Sequence, residues 1–300
     1  MAILQPISDR AHYIPGANNL GVVLNGDGGA IAIDTGIDKD TGRLIRKALD
    51  EAGLKLVAII STHHHADHIG GNDYLVRAYP GVAVCAPPLE AVLVAHPELE
   101  PIYLSGGAAP IPALRTKWLM AKGVPVSHLI DEAQFTIGGV TFAVVPLPGH
   151  SLNQIGLAVD GVCFAADGFF GPETLAKHGI PFAHDIGAQL TSLHRLASRD
   201  ELFFLPGHGA LAHHDALEAT LAANEVAITR ATQLVLDALT QPATLPVIGG
   251  RVQQAFGLAF AGMPQYAVFI SAVAAHLTFL EARGLAQVAL TGDGMVWERA

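Results

Sequence analysis

Short apolar runs bounded by glycine, proline and polar residues dominate most of the chain. Runs of this kind predict buried β-strands, and stretches with apolar residues every three or four positions predict helices. The predicted strands cover residues 20–25, 30–34, 57–61, 82–86, 141–146, 155–159, 162–166 and 202–205. The predicted helices cover residues 39–51, 73–79, 189–198 and 216–239. Because strands and helices alternate without an internal repeat, the sequence predicts a layered α/β fold.

Residues 87–130 interrupt this alternation. Repeated prolines and a Gly106-Gly107 pair break any long element, whereas Tyr103, Leu114 and Trp118 keep the segment apolar. Long irregular segments within compact domains are commonly lids or binding loops. We expect this insert to be a lid over a pocket or, alternatively, a dimer contact.

The pattern changes near residue 216. A long predicted helix is followed by a loop, a second helix at 268–283 and two short apolar runs around the turn at 292–294. The sequence therefore predicts two domains. The first covers residues 1–215 and includes the insert, and the second is a smaller, mainly helical domain at residues 216–300.

Composition and the pattern of apolar residues bear on where in the cell the protein is located. Hydrophobic residues make up 51% of the chain, yet the most apolar stretch, residues 257–280, contains Pro264, Gln265 and His276 and lacks basic flanks, so we predict no membrane span. The first ten residues lack the pattern of a secretory leader, and Cys85 and Cys163 both lie in apolar runs typical of core positions. We expect a cytoplasmic protein.

Three histidines lie close together after the predicted strand at 57–61. The loop that leaves the carboxyl end of a buried strand is where α/β folds place their chemistry. In an extended backbone alternate side chains share a face, so His63 and His65 point together and His64 points away. His63 and His65 are therefore candidate ligands of one metal ion.

Asp67 and His68 follow two residues later. If a helix begins near Ala66, these two side chains swing to a neighbouring position. The spacing then suits two adjacent metal ions better than one.

Further candidate ligands each follow an apolar run and are flanked by glycine or small residues. They are His150, Asp167 and His208, and Asp34 has the same setting after the strand at 30–34. A single histidine near a strand is usually a surface or hydrogen-bonded residue. For that reason the remaining histidines of this type are not assigned to metal: His64, His96, His128, His213, His214 and His276.

The combined motif His63-x-His65-x-Asp67-His68, with His150, Asp167, His208 and the upstream Asp34, resembles the five-motif signature of the metallo-β-lactamase superfamily in its dinuclear hydrolase form. The resemblance spans roughly residues 18 to 215. It implies an αββα sandwich with the metals at one edge between the two sheets. The C-terminal region is similar to the winged-helix-like tail of some members.

The same resemblance implies a role for each residue. His63, His65 and His150 hold one metal, Asp67, His68 and His208 hold the other, and Asp167 bridges them. Asp34 orients the ligand loop rather than binding metal. β-Lactamases proper usually carry cysteine at the bridging position, so Asp167 points away from antibiotic hydrolysis.

Imidazole and carboxylate ligands without thiolate suit two divalent ions, zinc first, with iron or manganese as alternatives. Such ions lower the pKa of a bound water, so a metal-bridging hydroxide is the expected nucleophile, with Asp67 and Asp167 as the candidate catalytic carboxylates. His178 and His184 follow the bridging aspartate on an apolar loop. They are candidate substrate contacts, or alternatively surface histidines.

Two functions follow. The first is a metal-dependent hydrolase acting on an ester-like carbonyl of a small molecule, either a thioester, as in glyoxalase II type enzymes, or a lactone. The alternative is a nucleic-acid phosphodiesterase, because a few relatives with a Pro-Gly-His-Gly motif and a winged tail are nucleases. Redox chemistry at a di-iron centre stays open, whereas a purely structural site would not need seven ligands.

Charge favours the first function. The net charge of the chain is −10, and residues 216–300 carry four basic and six acidic residues, whereas a surface that binds nucleic acid is normally basic. We therefore expect a small-molecule substrate and neither nucleic acid nor membrane as a partner, with a homodimer left open.

Overall fold

The computed structural model describes residues 3–292 and 294–300, except for the side chain of His178. A seven-stranded sheet forms from strands that lie side by side in chain order. The first four strands pair antiparallel and the last four, sharing β4, pair parallel. They are β1 (Gln5–Pro6), β2 (Ala11–Ile14), β3 (Leu20–Leu24), β4 (Gly29–Ile33), β5 (Lys55–Ile60), β6 (Ala83–Ala86) and β7 (His128–Leu129).

A second sheet has six strands in the order β13-β12-β11-β10-β9-β8. Its neighbours pair antiparallel except for β11 and β12, which run parallel. The strands are β8 (Gln134–Ile137), β9 (Val140–Pro146), β10 (Ile155–Val159), β11 (Val162–Ala166), β12 (Phe203–Pro206) and β13 (Ala212–His213). As a result β9, β11 and β12 all end at the same edge of the sheet.

The helices lie outside the two sheets or follow them in the chain. Helix α1 begins with a capping box in which the Asp38 side chain accepts hydrogen bonds from the backbone of Asp40 and Thr41. The helices are α1 (Lys39–Glu51), α2 (Ala66–Ile69), α3 (Asn72–Ala78), α4 (Pro88–Ala95), α5 (Leu99–Leu104), α6 (Pro172–His178), α7 (Ile186–Ala197), α8 (His214–Asp237), α9 (Leu245–Phe256) and α10 (Met263–Glu281).

The two sheets pack face to face through a common core. Ile31 of β4 and Ile60 of β5 lie in one buried cluster with Phe142 of β9 and Leu157 of β10. The alternate residues of β4 pack outward against α1 and α3, and α7 and α8 cover the outer face of the second sheet. This order of layers confirms the predicted αββα sandwich.

The insert at residues 87–130 is more regular than the sequence predicted. It contains α4 and α5, a 3₁₀ helix at Pro112–Leu114 and strand β7. The prolines do not break these elements, since Pro88 lies at the first position of α4, where a missing N–H costs no hydrogen bond. Whether the insert acts as a lid or as an interface stays a prediction.

The C-terminal region is helical, as predicted, and ends in a hairpin of β14 (Ala286–Thr291) and β15 (Gly294–Arg299). Asp293 of the predicted turn lies outside the described residues. Helix α8 begins at His214 and packs against α7, α9 and α10, so the predicted division between residues 215 and 216 stays a prediction.

Helix α10 is long and apolar enough to cross a membrane by length and composition alone. In the structure Phe269, Val273 and Leu277 are buried in a cluster with residues of α8 and α9. An interior helix has the same composition, so this match gives weak support for a membrane span.

Candidate metal centre

The predicted ligand residues lie where strands of both sheets end. His63 and His65 follow β5, and Asp34 follows the neighbouring parallel strand β4. His150, Asp167 and His208 come after β9, β11 and β12 at one edge of the second sheet. Helix α2 begins at Ala66, as predicted, and carries Asp67 and His68. The fold therefore brings the seven predicted ligands to one place.

The first triad consists of His63, His65 and His150, whose ligand atoms lie within 4.8 Å of one another. Nδ1 of His65 is 2.9 Å from Nε2 of His150. His63 and His150 are buried. As predicted, His64 points away from this group, towards Glu90 of α4.

The second triad consists of Asp67, His68 and His208, whose ligand atoms also lie within 4.8 Å of one another. Nε2 of His208 is 3.2 Å from Oδ2 of Asp67. His68 is fully buried, whereas Asp67 and His208 are half-buried. This triad is therefore more open to solvent than the first.

Asp167 lies between the two triads. Its Oδ1 is 3.3 Å from Nε2 of His68, and its Oδ2 is 3.2 Å from Nε2 of His150 and 3.6 Å from Nε2 of His208. One buried carboxylate thus faces histidines of both groups. This is the placement that a bridging ligand requires.

Hydrogen bonds outside the triads orient the imidazoles. Nδ1 of His150 donates to the carbonyl of Phe182 at 3.0 Å, and Nδ1 of His208 donates to the carbonyl of Ala17 at 2.8 Å. A carbonyl can only accept, so in each ring Nδ1 carries the proton and Nε2 faces the centre. Such partners fix the tautomer and direction of metal-binding histidines.

Asp34 has the same role for His68. Its Oδ2 accepts hydrogen bonds from Nδ1 of His68 at 2.9 Å and from the hydroxyl of Thr62 at 2.8 Å, and its Oδ1 accepts from the backbone of Thr62. These bonds occupy both oxygens of the carboxylate. Asp34 therefore orients the ligand loop, and one of its oxygens also lies within 4.8 Å of ligand atoms of His63 and His68.

Three buried polar atoms indicate which kind of ligand the centre can bind. Nε2 of His63, Nε2 of His68 and Oδ1 of Asp167 have no hydrogen-bond partner within the described part of the chain. Buried polar atoms without a hydrogen-bond partner cost free energy, and binding of a cation by these atoms would offset that cost. The donor set of imidazole nitrogens and carboxylate oxygens fits divalent metal ions.

The pKa values of the histidines in the centre shift in different directions. Burial holds the pKa of His63 and His65 well below the ordinary value, so both imidazoles are neutral at neutral pH. Burial also acts to lower the pKa of His208, but Asp167 and Asp67 outweigh it and raise that pKa to about 9. The two carboxylates thus attract positive charge at this position.

The carboxylates themselves stay ionised. Burial acts to raise the pKa of Asp67 and Asp167, but His68 and His208 outweigh it and hold both pKa values well below the ordinary range. Two buried anions among imidazoles are the charge pattern expected for a cation site.

The sequence placed the apolar loop after Asp167 near the pocket but assigned no individual role to several residues that line the centre. Phe182 lies edge-on to His65 and His150, with ring centroids 5.5 Å apart in both pairs, and Phe170 is 5.7 Å from His150. The side-chain amide of Asn18 donates to Oδ2 of Asp67 at 3.0 Å. These residues give the centre an apolar wall and a polar donor.

The insert also packs beside the centre, around the side chain of His64. The hydroxyl of Tyr103 in α5 is 3.4 Å from Nε2 of His64. Glu100 of the same helix is buried, and burial together with the nearby Asp67 raises its pKa well above the ordinary value. A lone charge within an otherwise apolar helix, as at Glu90 in α4, is the sequence signal that could have drawn attention to this region.

The predicted substrate contacts have a less direct relation to the centre. His184 is exposed, and its backbone N–H donates to the carbonyl of Gly149, next to His150, at 2.7 Å. The side chain of His178 lies outside the described residues. The role of both residues in substrate binding stays a prediction.

Comparison with known proteins agrees with this geometry. A family model described as the metallo-beta-lactamase superfamily matches residues 13–208. A hydroxyacylglutathione hydrolase of Vibrio campbellii is 32% identical over 154 residues, which cover 51% of this chain and 47% of the relative. The chain thus spans about half the length of this curated relative.

Two solved structures match nearly the whole fold. A beta-lactamase domain protein of Burkholderia ambifaria has a TM-score of 0.74 and 18% identity, with 99% of this chain and 95% of that chain covered. A metallo-beta-lactamase family protein of Thermus thermophilus has a TM-score of 0.71 and 18% identity, covering 99% and 97%. At this identity the likeness concerns the fold, including its C-terminal region.

Proposed function

The chain belongs to the metallo-β-lactamase superfamily, and on that premise we propose that it is a dinuclear metal-dependent hydrolase that cleaves the thioester of a small organic substrate. The observation that carries the proposal is the position of Asp167, whose carboxylate lies within 3.6 Å of His68, His150 and His208. A carboxylate that faces histidines of both triads can bind two ions at once, whereas a single ion would need only one triad.

The residues of the centre would have different roles in metal binding and catalysis. The first triad would hold one ion, the second triad the other, and Asp167 both, with zinc as the metal that best suits this donor set. Two such ions, when bound, polarise a carbonyl oxygen and lower the pKa of water. Asp67 and Asp167 are ionised at neutral pH, so their oxygens would accept hydrogen bonds from the attacking water and orient it.

Other side chains would position the substrate. Phe170 and Phe182 provide apolar contacts beside the histidines, and the amide of Asn18 can donate a hydrogen bond at the more open second triad. The Vibrio campbellii relative is named for the hydrolysis of a hydroxyacylglutathione, a thioester whose acyl group is bonded to the glutathione sulfur. This supports a thioester ahead of a lactone.

We also propose a cytoplasmic setting. Cys85 and Cys163 are free thiols buried in the core, and burial raises the pKa of each to about 12, which keeps them protonated and unreactive. Buried thiols of this kind are compatible with a reducing compartment.

Metal analysis combined with a substrate panel tests the proposal. The purified protein should bind two divalent ions per chain and hydrolyse acyl-thioesters faster than lactones or phosphodiesters. Asp167→Ala and His65→Ala should each lower both metal content and kcat/KM for the thioester, by at least about 100-fold in kcat/KM.

Substitution of an uninvolved histidine is the matched control. His96→Ala changes an exposed side chain, 64% accessible, on the loop between α4 and α5 and should leave metal content and rate unchanged. Thioester hydrolysis that persists in metal-free Asp167→Ala protein would contradict the proposal.

A further inference from the structure

Glu90 is a buried carboxylate that the proposed reaction does not use. It is the only charged residue of α4, and its side chain is fully buried. An isolated buried charge is costly unless hydrogen bonds and opposite charge compensate it. The partners of Glu90 therefore indicate why the carboxylate is present.

Four hydrogen bonds satisfy this carboxylate. Oε2 accepts from the backbone N–H of His64 at 3.0 Å and from Nδ1 of its ring at 2.5 Å. Oε1 accepts from the hydroxyl of Ser151 and from the backbone N–H of Asn153, both at 2.7 Å. Burial acts to raise the pKa of Glu90, but these bonds, that of His64 foremost, lower it below the ordinary value.

The partners lie in two loops that are far apart in the sequence. His64 lies between His63 and His65, and Ser151 directly follows His150. One carboxylate therefore joins the two loops that supply all three histidines of the first triad.

The second triad has a different support. Asp34 accepts the hydrogen bond from Nδ1 of His68 and fixes the backbone of Thr62. Each triad thus has its own buried carboxylate. Asp34 accepts a hydrogen bond from the ring of a ligand in the second triad, and Glu90 accepts from the two loops that carry the ligands of the first triad.

We infer that Glu90 is a positioning residue for the metal site formed by His63, His65 and His150, and that it sets the affinity of this site separately from that of the other. The inference rests on the dinuclear centre of the proposed function. It does not depend on the identity of the substrate.

The chemistry of the four partners suggests a sharp substitution. All four groups donate to the carboxylate. Glu90→Gln keeps the shape but turns its NH₂ group towards a backbone N–H that can only donate, that of His64 or that of Asn153, whichever way the amide lies. A backbone N–H that faces an NH₂ group loses its hydrogen bond, and the two groups move apart. The two loops should then separate while the rest of the fold is retained.

Single-site variants allow each triad to be measured alone. His208→Ala leaves the first triad complete, and His150→Ala leaves the second complete. Metal-free protein of each background, with and without Glu90→Gln, is titrated with Zn²⁺ against a chromophoric chelator. We expect Glu90→Gln to weaken Zn²⁺ binding by roughly 10- to 100-fold in the His208→Ala background and by less than about 3-fold in the His150→Ala background.

Glu98→Gln is the matched control, since Glu98 lies in the same insert with 58% of its side chain exposed. It should change neither affinity. Asp34→Asn should show the reverse order to Glu90→Gln, with the larger loss at the second triad, because Asp34 bonds the ring of His68 directly and reaches His63 only through Thr62. Circular dichroism and thermal unfolding establish that each variant is folded.

Ser151→Ala is the milder variant if Glu90→Gln does not fold. It removes one of the four hydrogen bonds and should weaken the first triad alone, by several-fold. Equal weakening in both backgrounds, or unchanged affinity of the first triad in a folded variant, would overturn the inference.

The outcome is separable from that of the proposed function. A wild-type protein that binds two ions but hydrolyses no thioester contradicts the proposed substrate and leaves the role of Glu90 to be decided by the titrations. A wild-type protein that binds no ions contradicts both.

Discussion

Gly207 precedes His208 in the chain and lies against the candidate metal centre. A Cβ atom at this position would come within 2.2 Å of Oδ1 of Asp167 and 2.8 Å of Cε1 of His68. The backbone cannot easily move away, because the N–H of Gly207 donates to Ala166 and its carbonyl accepts from Asn19. The absence of a side chain therefore provides the space in which the bridging carboxylate lies.

Gly207→Ala is predicted to damage the centre without unfolding the protein. The added methyl group should displace Asp167, so bound metal should fall below two ions per chain and thioester kcat/KM should fall by at least about 10-fold. Elemental analysis and steady-state kinetics measure these effects. Gly250→Ala, in α9 with nothing within 4 Å of the added atom, is the control that should retain both.

The sequence located the ligand residues and one supporting residue, Asp34, but not the other supports. Each ligand follows an apolar run, so a local pattern is enough to find His150 or His208. Glu90 meets Ser151, and Asn18 meets Asp67, only because distant segments fold together. No local pattern records these contacts, although an isolated charge in α4 signals a buried partner.

At the level of elements, long and strongly patterned segments were predicted well. Helix α1 has the predicted bounds, and the central strands differ by a few residues. The missed strands include β1, β7 and β13, with two residues each, which are too short to show alternation. Helix α9 was missed because Gly249 and Gly250 lie in its interior, where glycine weakens the helical signal.

Helices α8 and α10 pack around a buried histidine that makes their contact sensitive to pH. His276 is fully buried, its Nδ1 is 2.9 Å from the hydroxyl of Thr232, and burial lowers its pKa to about 4. The unfolded chain therefore binds a proton that the folded protein resists between about pH 6.5 and pH 4. Stability must fall as the pH falls through this window.

Replacing His276 should remove this sensitivity. Relative to His276→Leu, the wild type should lose about 2 to 3 kcal/mol of unfolding free energy between pH 7 and pH 4.5, since one pKa unit corresponds to about 1.4 kcal/mol. Urea unfolding of both proteins at both pH values measures the difference. A gap between the two proteins that does not change with pH would contradict the prediction.

At the scale of the whole molecule, charge bears on the alternative function. The net charge is −10, and the C-terminal region is acidic overall, although its helices and hairpin resemble folds that often bind nucleic acid. Attraction to phosphate backbones requires clustered basic residues that release counterions.

We therefore predict no measurable binding of single-stranded RNA. Fluorescence anisotropy at about 150 mM salt should give a Kd weaker than about 100 μM, the weak limit for nonspecific binders. Binding below about 10 μM that strengthens as salt is lowered would favour the phosphodiesterase alternative.

Helix α8 joins the two parts of the molecule through its packing. Leu217 and Leu221, near its start, belong to the cluster behind the second sheet, whereas Val235 and Leu236, near its end, belong to the C-terminal cluster. A recombinant truncation after residue 215 would retain every ligand but strip leucines from the back of that sheet. The shortened protein would expose an apolar surface on the second sheet and aggregate. Activity assays should therefore use all 300 residues.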